Sequence, residues 1–178
     1  MDGECRLDLV GCSAVRSGSR TPRAPILVGL VKLNLGAGAH PLDGFVNRGP
    51  ENDGWRFEDG LPEYEDGTVD GITISHSLMY LPLDFWPAVF AEIARVLRPG
   101  GVLRVTEDTT DDRRSERYGG APDAVTLTSA DLVILHATAA GLRADRVKPD
   151  ESWFADLSLV QRWHGEPPKV FHVEALKL

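Results

Sequence analysis

The sequence predicts an α/β fold in which short buried strands alternate with helices. Three observations support this expectation: an apolar run at residues 30–35 that enters a glycine turn, a β-branched run at Val69–Ser75, and a helical pattern over residues 85–97 that leads directly into another strand. Strands that alternate with helical segments are typical of a sheet with helices packed on its faces.

The length of 178 residues suits one domain that buries its core without disulfides or metal. Residues 1–28 are rich in Ser, Gly, Arg and Pro and show no sustained period. We therefore expect a disordered or loosely attached tail, followed by a folded domain at residues 29–178. Cys5 and Cys12 both lie in this tail, which argues against a zinc site or a core disulfide.

The formal net charge of −8 makes strong nucleic-acid binding unexpected, because that binding depends on neutralising phosphates. No run of about 18 apolar residues is present, so no membrane span is expected. The apolar stretch at residues 24–31 is too short for a convincing secretory signal. These features predict a cytoplasmic protein.

In the first half of the chain, the strand at residues 30–35 is followed by a segment dense in Pro, Gly and acid. Residues 39–68 leave room only for short strands, predicted at 44–47 and 55–58. The run Val69–Ser75 is rich in β-branched residues and predicts a buried strand.

In the second half, Asp84 is the predicted N-cap of a helix over residues 85–97, with Pro87 tolerated in its first turn. The Pro-Gly-Gly run at residues 99–101 ends this helix and leads into a strand at 102–106. The remaining elements are predicted as a charged loop (107–122), a helix (129–140) ended by Gly141, and strands at 142–148 and 170–176 around an aromatic insertion (153–168).

The glycine turn at Gly36–Ala37–Gly38 is the first candidate for a ligand site. Glycines let the backbone approach a ligand closely, and open α/β sheets bind ligands beyond the carboxyl ends of their strands. Pro41 stands where a GxGxxG motif would place its third glycine, which argues against a dinucleotide. Taken alone, the turn is equally compatible with a plain tight turn after a strand.

Three segments in the same order resemble class I S-adenosylmethionine (SAM) methyltransferases of the small, type 11-like kind. These are KLNLGAGAHPLDGFVN (32–47), FEDGLPEYEDGTVDGITISHSLMYL (57–81) and EIARVLRPGGVLRVTED (92–108). The resemblance covers about residues 31–148. It implies a Rossmann-like, mostly parallel sheet with helices on both faces and a C-terminal antiparallel strand. It also implies SAM as the cofactor.

The resemblance implies a set of cofactor-binding residues. The glycine turn would lie beneath the methionine part of SAM, and an acid in the turn before the fourth strand would receive the adenine amine. The implied residues are Leu35, Gly36, Ala37, Gly38, Glu58, Asp59, Gly60 and Ser75. Asp59 could equally be a solvated acid. The sequence departs from the family at residues 45–50, where no acid is present to hold the ribose, and Glu51 or Asp53 could substitute.

His76 follows Ser75 at the strand end where the family presents the SAM methyl group, so it is the first candidate for a general base. The alternative is a histidine packed in the core. Glu107 and Asp108 close the next strand and could contact a substrate or cap a loop. No cluster of His, Cys and carboxylates has metal-ligand spacing, so no metal site is expected.

These features predict a SAM-dependent methyltransferase that acts on a small molecule or glycan nucleophile, with O-methylation favoured. The main alternative is a non-catalytic binding or assembly subunit with the same fold. A NAD-dependent oxidoreductase is a third reading, disfavoured by Pro41.

Overall fold

A computed structural model describes residues 30–108, 125–126, 128–148 and 170–178 of the chain. The elements in these ranges are β1 (Lys32–Leu35), β2 (Val46–Arg48), β3 (Val69–Ser75), α1 (Trp86–Val96), β4 (Leu97–Asp108), α2 (Ala130–Ala139), β5 (Leu142–Arg146) and β6 (Val170–Lys177). The predictions for the tail at 1–28 and the aromatic insertion at 153–168 fall outside the described residues, as does most of the charged loop at 107–122.

The six strands form one sheet in the order β2-β1-β3-β4-β6-β5. The pairs β1–β2, β1–β3 and β3–β4 are parallel, whereas β6 runs antiparallel to both β4 and β5. The predicted fold class, a mostly parallel Rossmann-like sheet with a C-terminal antiparallel strand, is therefore confirmed.

One face of the sheet carries the hydrophobic core. Side chains alternate between faces along a strand, and fully buried apolar residues recur at every second position of the central strands. They include Leu33, Leu35, Ile72, Ile74, Leu103, Val105, Val173 and Ala175. The helices cover this face: Trp86 of α1 lies 5.5 Å from the His136 ring of α2, measured between ring centroids. Both helices in the described part of the chain therefore lie on the same side.

The opposite face is polar, and its side chains are buried or half-buried. Register pairs place Asn34 beside Thr73, Arg104 beside Glu174, and Thr106 beside His172. Residues 36–45, which connect β1 to β2, form turns and no helix. Helices were expected on both faces of the sheet. Within the described residues, they cover one face.

Two local predictions are wrong. Residues 55–58 form no strand, because Phe57–Asp59 is a 3₁₀ turn in which the Asp59 carboxylate accepts a hydrogen bond from the Arg56 amide at 2.8 Å. Such local side-chain bonds compete with strand pairing. Asp84 is not the N-cap of α1: it lies in a preceding 3₁₀ turn (Leu83–Phe85), and Phe85 occupies the cap position.

Most other element boundaries differ by one or two residues from the prediction. The largest difference is β4, predicted at 102–106, which begins at Leu97 because the Leu97 backbone pairs with Val69 at the start of β3. Ser129 caps α2 by accepting a hydrogen bond from the Leu132 amide at 3.2 Å.

Candidate functional site

The glycine turn joins the carboxyl ends of three strands. The amides of Gly36 and Ala37 both donate to the Arg48 carbonyl at the end of β2, each at 2.9 Å. Gly36 has φ +73°, and a Cβ built there would lie 2.4 Å from Oγ of Ser77, beyond β3. A side chain at position 36 would therefore displace Ser77. At Gly38 (φ +50°), the space around a Cβ is open for 4 Å, so this part of the turn is where a ligand could approach.

The end of β3 carries a strained histidine. His76 has φ +50°, the only positive value among the described non-glycine residues. Such a conformation costs about 1–3 kcal/mol and persists where surrounding contacts impose it. The His76 amide donates to the Thr106 carbonyl at 2.9 Å, and Nδ1 of its ring lies 3.0 Å from Oγ of Ser75. Backbone strain of this kind is found most often at active sites and ligand-binding positions.

Glu107 lies in the interior rather than on the rim. Its side chain is 0% exposed, and Oε1 accepts hydrogen bonds from the amides of Ser77 at 2.8 Å and Leu78 at 2.7 Å. These contacts fix the loop that follows β3 and assign this oxygen a structural role. Asp108 ends β4, where its backbone pairs with Val170.

The acidic turn lies beside the glycine turn. The Phe57 ring comes within 3.4 Å of the Cβ position of Gly36, which brings Glu58, Asp59 and Gly60 to the same edge of the sheet. Glu58 and Asp59 are both exposed. The Gly60 carbonyl accepts a hydrogen bond from the Trp55 indole at 2.7 Å, which closes the turn over a small apolar pocket lined in part by Leu35, Phe57 and Leu61.

An arginine occupies the end of β2, where the family places its ribose acid. Nε of Arg48 lies 2.5 Å from Oδ2 of Asp53, its Nη1 pairs with Glu63, and its guanidinium lies over the Trp55 ring at 5.6 Å. The other Asp53 oxygen accepts from the Gly49 and Trp55 amides at 3.1 Å each. Burial acts to raise the pKa of Asp53, but these amides and Arg48 outweigh it and hold the pKa below its usual value.

A second histidine lies near His76. His172 on β6 is buried, and its Nδ1 lies 3.0 Å from Oγ1 of Thr106. Burial, together with the positive charge that His76 can carry, lowers the pKa of His172. The sequence analysis assigned no role to His172, Thr106 or Arg48. The only sequence signal for Thr106 and His172 was the alternation of apolar and polar residues along β4 and β6, which places both on the polar face of the sheet.

The structure thus brings most of the predicted site residues to one edge of the sheet. The glycine turn, the acidic turn and the Ser75–His76 pair converge there, whereas the carboxylate of Glu107 points into the protein. Within the described ranges, no three His, Cys, Asp or Glu side chains are grouped so that they could hold a metal ion. No helix in those ranges is long and apolar enough to cross a membrane.

The sheet order, the glycine turn after β1 and the antiparallel β6 define the class I SAM-dependent methyltransferase fold. Residues 55–105 match the family model described as a methyltransferase domain. The resemblance identified from the sequence is therefore confirmed. A comparison with curated protein sequences gives no match.

Several solved structures share this fold at low sequence identity. A SAM-dependent methyltransferase from Archaeoglobus fulgidus is 12% identical, with a TM-score of 0.59 over 84% of this chain and 87% of that one. A chain of the complex between the Haloferax volcanii Trm112 methyltransferase activator and a methyltransferase is 18% identical, with a TM-score of 0.56 over 84% and 82%. The Haemonchus contortus phosphoethanolamine N-methyltransferase 2, solved with SAM, is 15% identical, with a TM-score of 0.50 over 87% and 50%.

Proposed function

We propose that this protein is a cytoplasmic SAM-dependent methyltransferase that methylates a hydroxyl group of a small molecule or glycan. The observation that carries the proposal is the strained His76 at the end of β3, at the same sheet edge as the glycine turn. SAM is the expected cofactor, and the open space at Gly38 and the exposed Glu58 and Asp59 are compatible with it.

Asp53 is the residue that we propose for the ribose. No acid lies at residues 45–50, but the loop returns the Asp53 carboxylate to the end of β2, within 3.1 Å of the Gly49 amide. Glu51, the other sequence candidate, is exposed, as is Asp53. Because Arg48 is paired with both Asp53 and Glu63, its positive charge is compensated where the cationic sulfonium of SAM would approach.

SAM, when bound, supplies an electrophilic methyl group on a sulfonium. His76 would accept the proton of the acceptor hydroxyl, whose oxygen would take the methyl group as S-adenosylhomocysteine is released. A positioned base accelerates such a reaction by about 10²–10⁴-fold. Orientation of the two reactants lowers the activation free energy by about 7–11 kcal/mol in favourable cases. Nδ1 of the imidazole lies 3.0 Å from Oγ of Ser75, a contact that orients the ring at the end of β3.

Calorimetric titration with SAM and S-adenosylhomocysteine tests the proposal. We expect a Kd on the order of micromolar for at least one of them. Asp53→Asn should weaken binding by about 10-fold or more, since a hydrogen bond to a charged group contributes about 1.5–3 kcal/mol. Glu51→Gln makes the same charge change in the same loop and should leave the affinity unchanged. No heat for either ligand at millimolar concentration would refute the proposal.

The alternative is a non-catalytic binding or assembly subunit. The specific observation in its favour is Arg48, which stands where the family has an acid and whose carbonyl engages the Gly36 and Ala37 amides. The similarity to a chain from a methyltransferase–activator complex is compatible with a protein partner. If SAM binds and His76→Ala does not change turnover, only the proposed role of His76 is contradicted. If SAM does not bind, the non-catalytic alternative is favoured.

A further inference from the structure

Two side chains of α1 hold the segment that follows the acidic turn at residues 58–60. Oε1 of Glu92 accepts a hydrogen bond from the Leu61 amide at 3.0 Å, and Nη2 of Arg95 donates to the Leu61 carbonyl at 3.1 Å. Both backbone polar groups of Leu61 are therefore bonded to one helix, in the way that a neighbouring strand would bond them. The Leu61 side chain is also buried in the core, so the residue directly after the acidic turn is fixed by its backbone and by its side chain.

Arg95 extends this contact along the rest of the segment. Its Nη1 donates to the Tyr64 carbonyl at 3.0 Å and pairs with the Asp66 carboxylate at 2.6 Å, and its backbone carbonyl accepts from the Gly67 amide at 3.0 Å. The Glu92 carboxylate holds the guanidinium through Nε and Nη2, at 2.7 Å each. A guanidinium suits this position because its planar fork offers several donors in fixed directions.

The acidic turn itself presents exposed acids at the candidate site. Glu58 and Asp59 are exposed, and the Asp59 carboxylate accepts from the Arg56 amide at 2.8 Å. That bond spans three residues, so it sets the shape of the turn. The bonds from Leu61 to Glu92 and Arg95 span 31 and 34 residues, so they contribute to the place of the turn on the domain.

We propose that Glu92 and Arg95 are positioning residues for cofactor recognition: they hold the acidic turn where Asp59 accepts the exocyclic amine of adenine. The inference rests on the proposed function, in which SAM is the cofactor and the acidic turn belongs to its site. A carboxylate distinguishes an amine from a carbonyl oxygen only when it is held in hydrogen-bonding geometry, because the bond weakens steeply away from it. The Glu92–Arg95 pair should therefore set the selectivity for the base.

Binding of S-adenosylhomocysteine and S-inosylhomocysteine to the full chain tests this proposal. The inosine compound carries a carbonyl oxygen in place of the amine, so the wild type should bind it at least about tenfold more weakly, as expected for the loss of a hydrogen bond to a charged group. In Arg95→Gln and in Asp59→Asn, the ratio of the two Kd values should fall toward one. Arg98→Gln is the matched control: it makes the same charge change three residues further on, removes an ion pair with Asp70, and should keep the wild-type ratio.

A general loss of stability would weaken the binding of both compounds equally, so an unchanged ratio in Arg95→Gln would overturn the proposal. Arg95→Lys keeps the positive charge beside Glu92 but lacks the planar fork; it should also lower the ratio, and it decides the question if Arg95→Gln does not fold. If the wild type binds both compounds equally well, the proposal is wrong and the cofactor assignment stands. If the wild type binds neither compound, the proposed function itself fails, and this inference fails with it.

Discussion

Replacement of Glu107 should loosen the loop that supports the candidate site. The buried carboxylate accepts two backbone amides, from Ser77 and Leu78. Hydrogen bonds to a charged group contribute about 1.5–3 kcal/mol each, so Glu107→Ala should cost about 3–6 kcal/mol. For a domain of this size, that loss lowers Tm by about 6–24 °C. Glu107→Gln keeps one carbonyl acceptor and should cost less.

Thermal unfolding and amide hydrogen exchange together measure this effect. The Ser77 and Leu78 amides should lose about 100-fold or more of their protection, since 1.4 kcal/mol corresponds to about tenfold. Glu174→Ala is the matched control, because this carboxylate on the adjacent strand forms a half-exposed ion pair with Arg104. Exposed pairs contribute about 0–1 kcal/mol. Equal losses of Tm in the two alanine variants, with unchanged exchange at Ser77 and Leu78, would refute the reasoning.

Three further predictions concern stability. Gly36→Ala should lower Tm more than Gly38→Ala: both place alanine at a positive φ, but only Gly36→Ala forces a Cβ against Ser77. Equal losses of Tm would contradict this clash, and Ser77→Gly should partly restore the Tm of Gly36→Ala. Burial lowers the pKa of His136 in the folded protein, so the unfolded chain binds the proton first and the free energy of unfolding should fall as the pH drops below ~6.5. His136→Phe should reduce this pH dependence of stability, which unfolding at pH 8 and about pH 5.5 would measure. A chain that begins at Leu30 should keep its Tm within a few degrees, as expected from the composition of residues 1–28, and a large loss on truncation would show that the tail packs onto the domain.

The sequence was most informative where local pattern and tertiary environment agree. The β-branched run at Val69–Ser75 forms β3 with the predicted bounds, because a strand flanked by two others needs apolar residues at alternate positions. The helix before Pro99 was predicted to within a residue at each end, since proline restricts the residue before it. The glycine turn was also found, and at Gly36 it is Ser77 that occupies the space of a Cβ.

The contacts that define the site could not be predicted from local pattern. The Glu107 carboxylate accepts hydrogen bonds from amides about thirty residues earlier in the chain. Whether the Glu107 side chain lies on the rim or in the interior depends only on which face of β4 it occupies. His172 comes within 3.0 Å of the Thr106 hydroxyl because β6 runs antiparallel beside β4. A short strand was predicted at residues 55–58, whereas the Asp59 carboxylate accepts a local hydrogen bond from the Arg56 amide.

The order of the strands also bears on how the protein behaves at high concentration. The two edge positions belong to β2 and β5, which are three and five residues long. Exposed edges invite pairing with a second molecule, and short or charged strands discourage it. β5 contains Arg143, Asp145 and Arg146, and β2 ends in Arg48. Within the described part of the chain, these two edges therefore discourage continuation of the sheet into a second molecule.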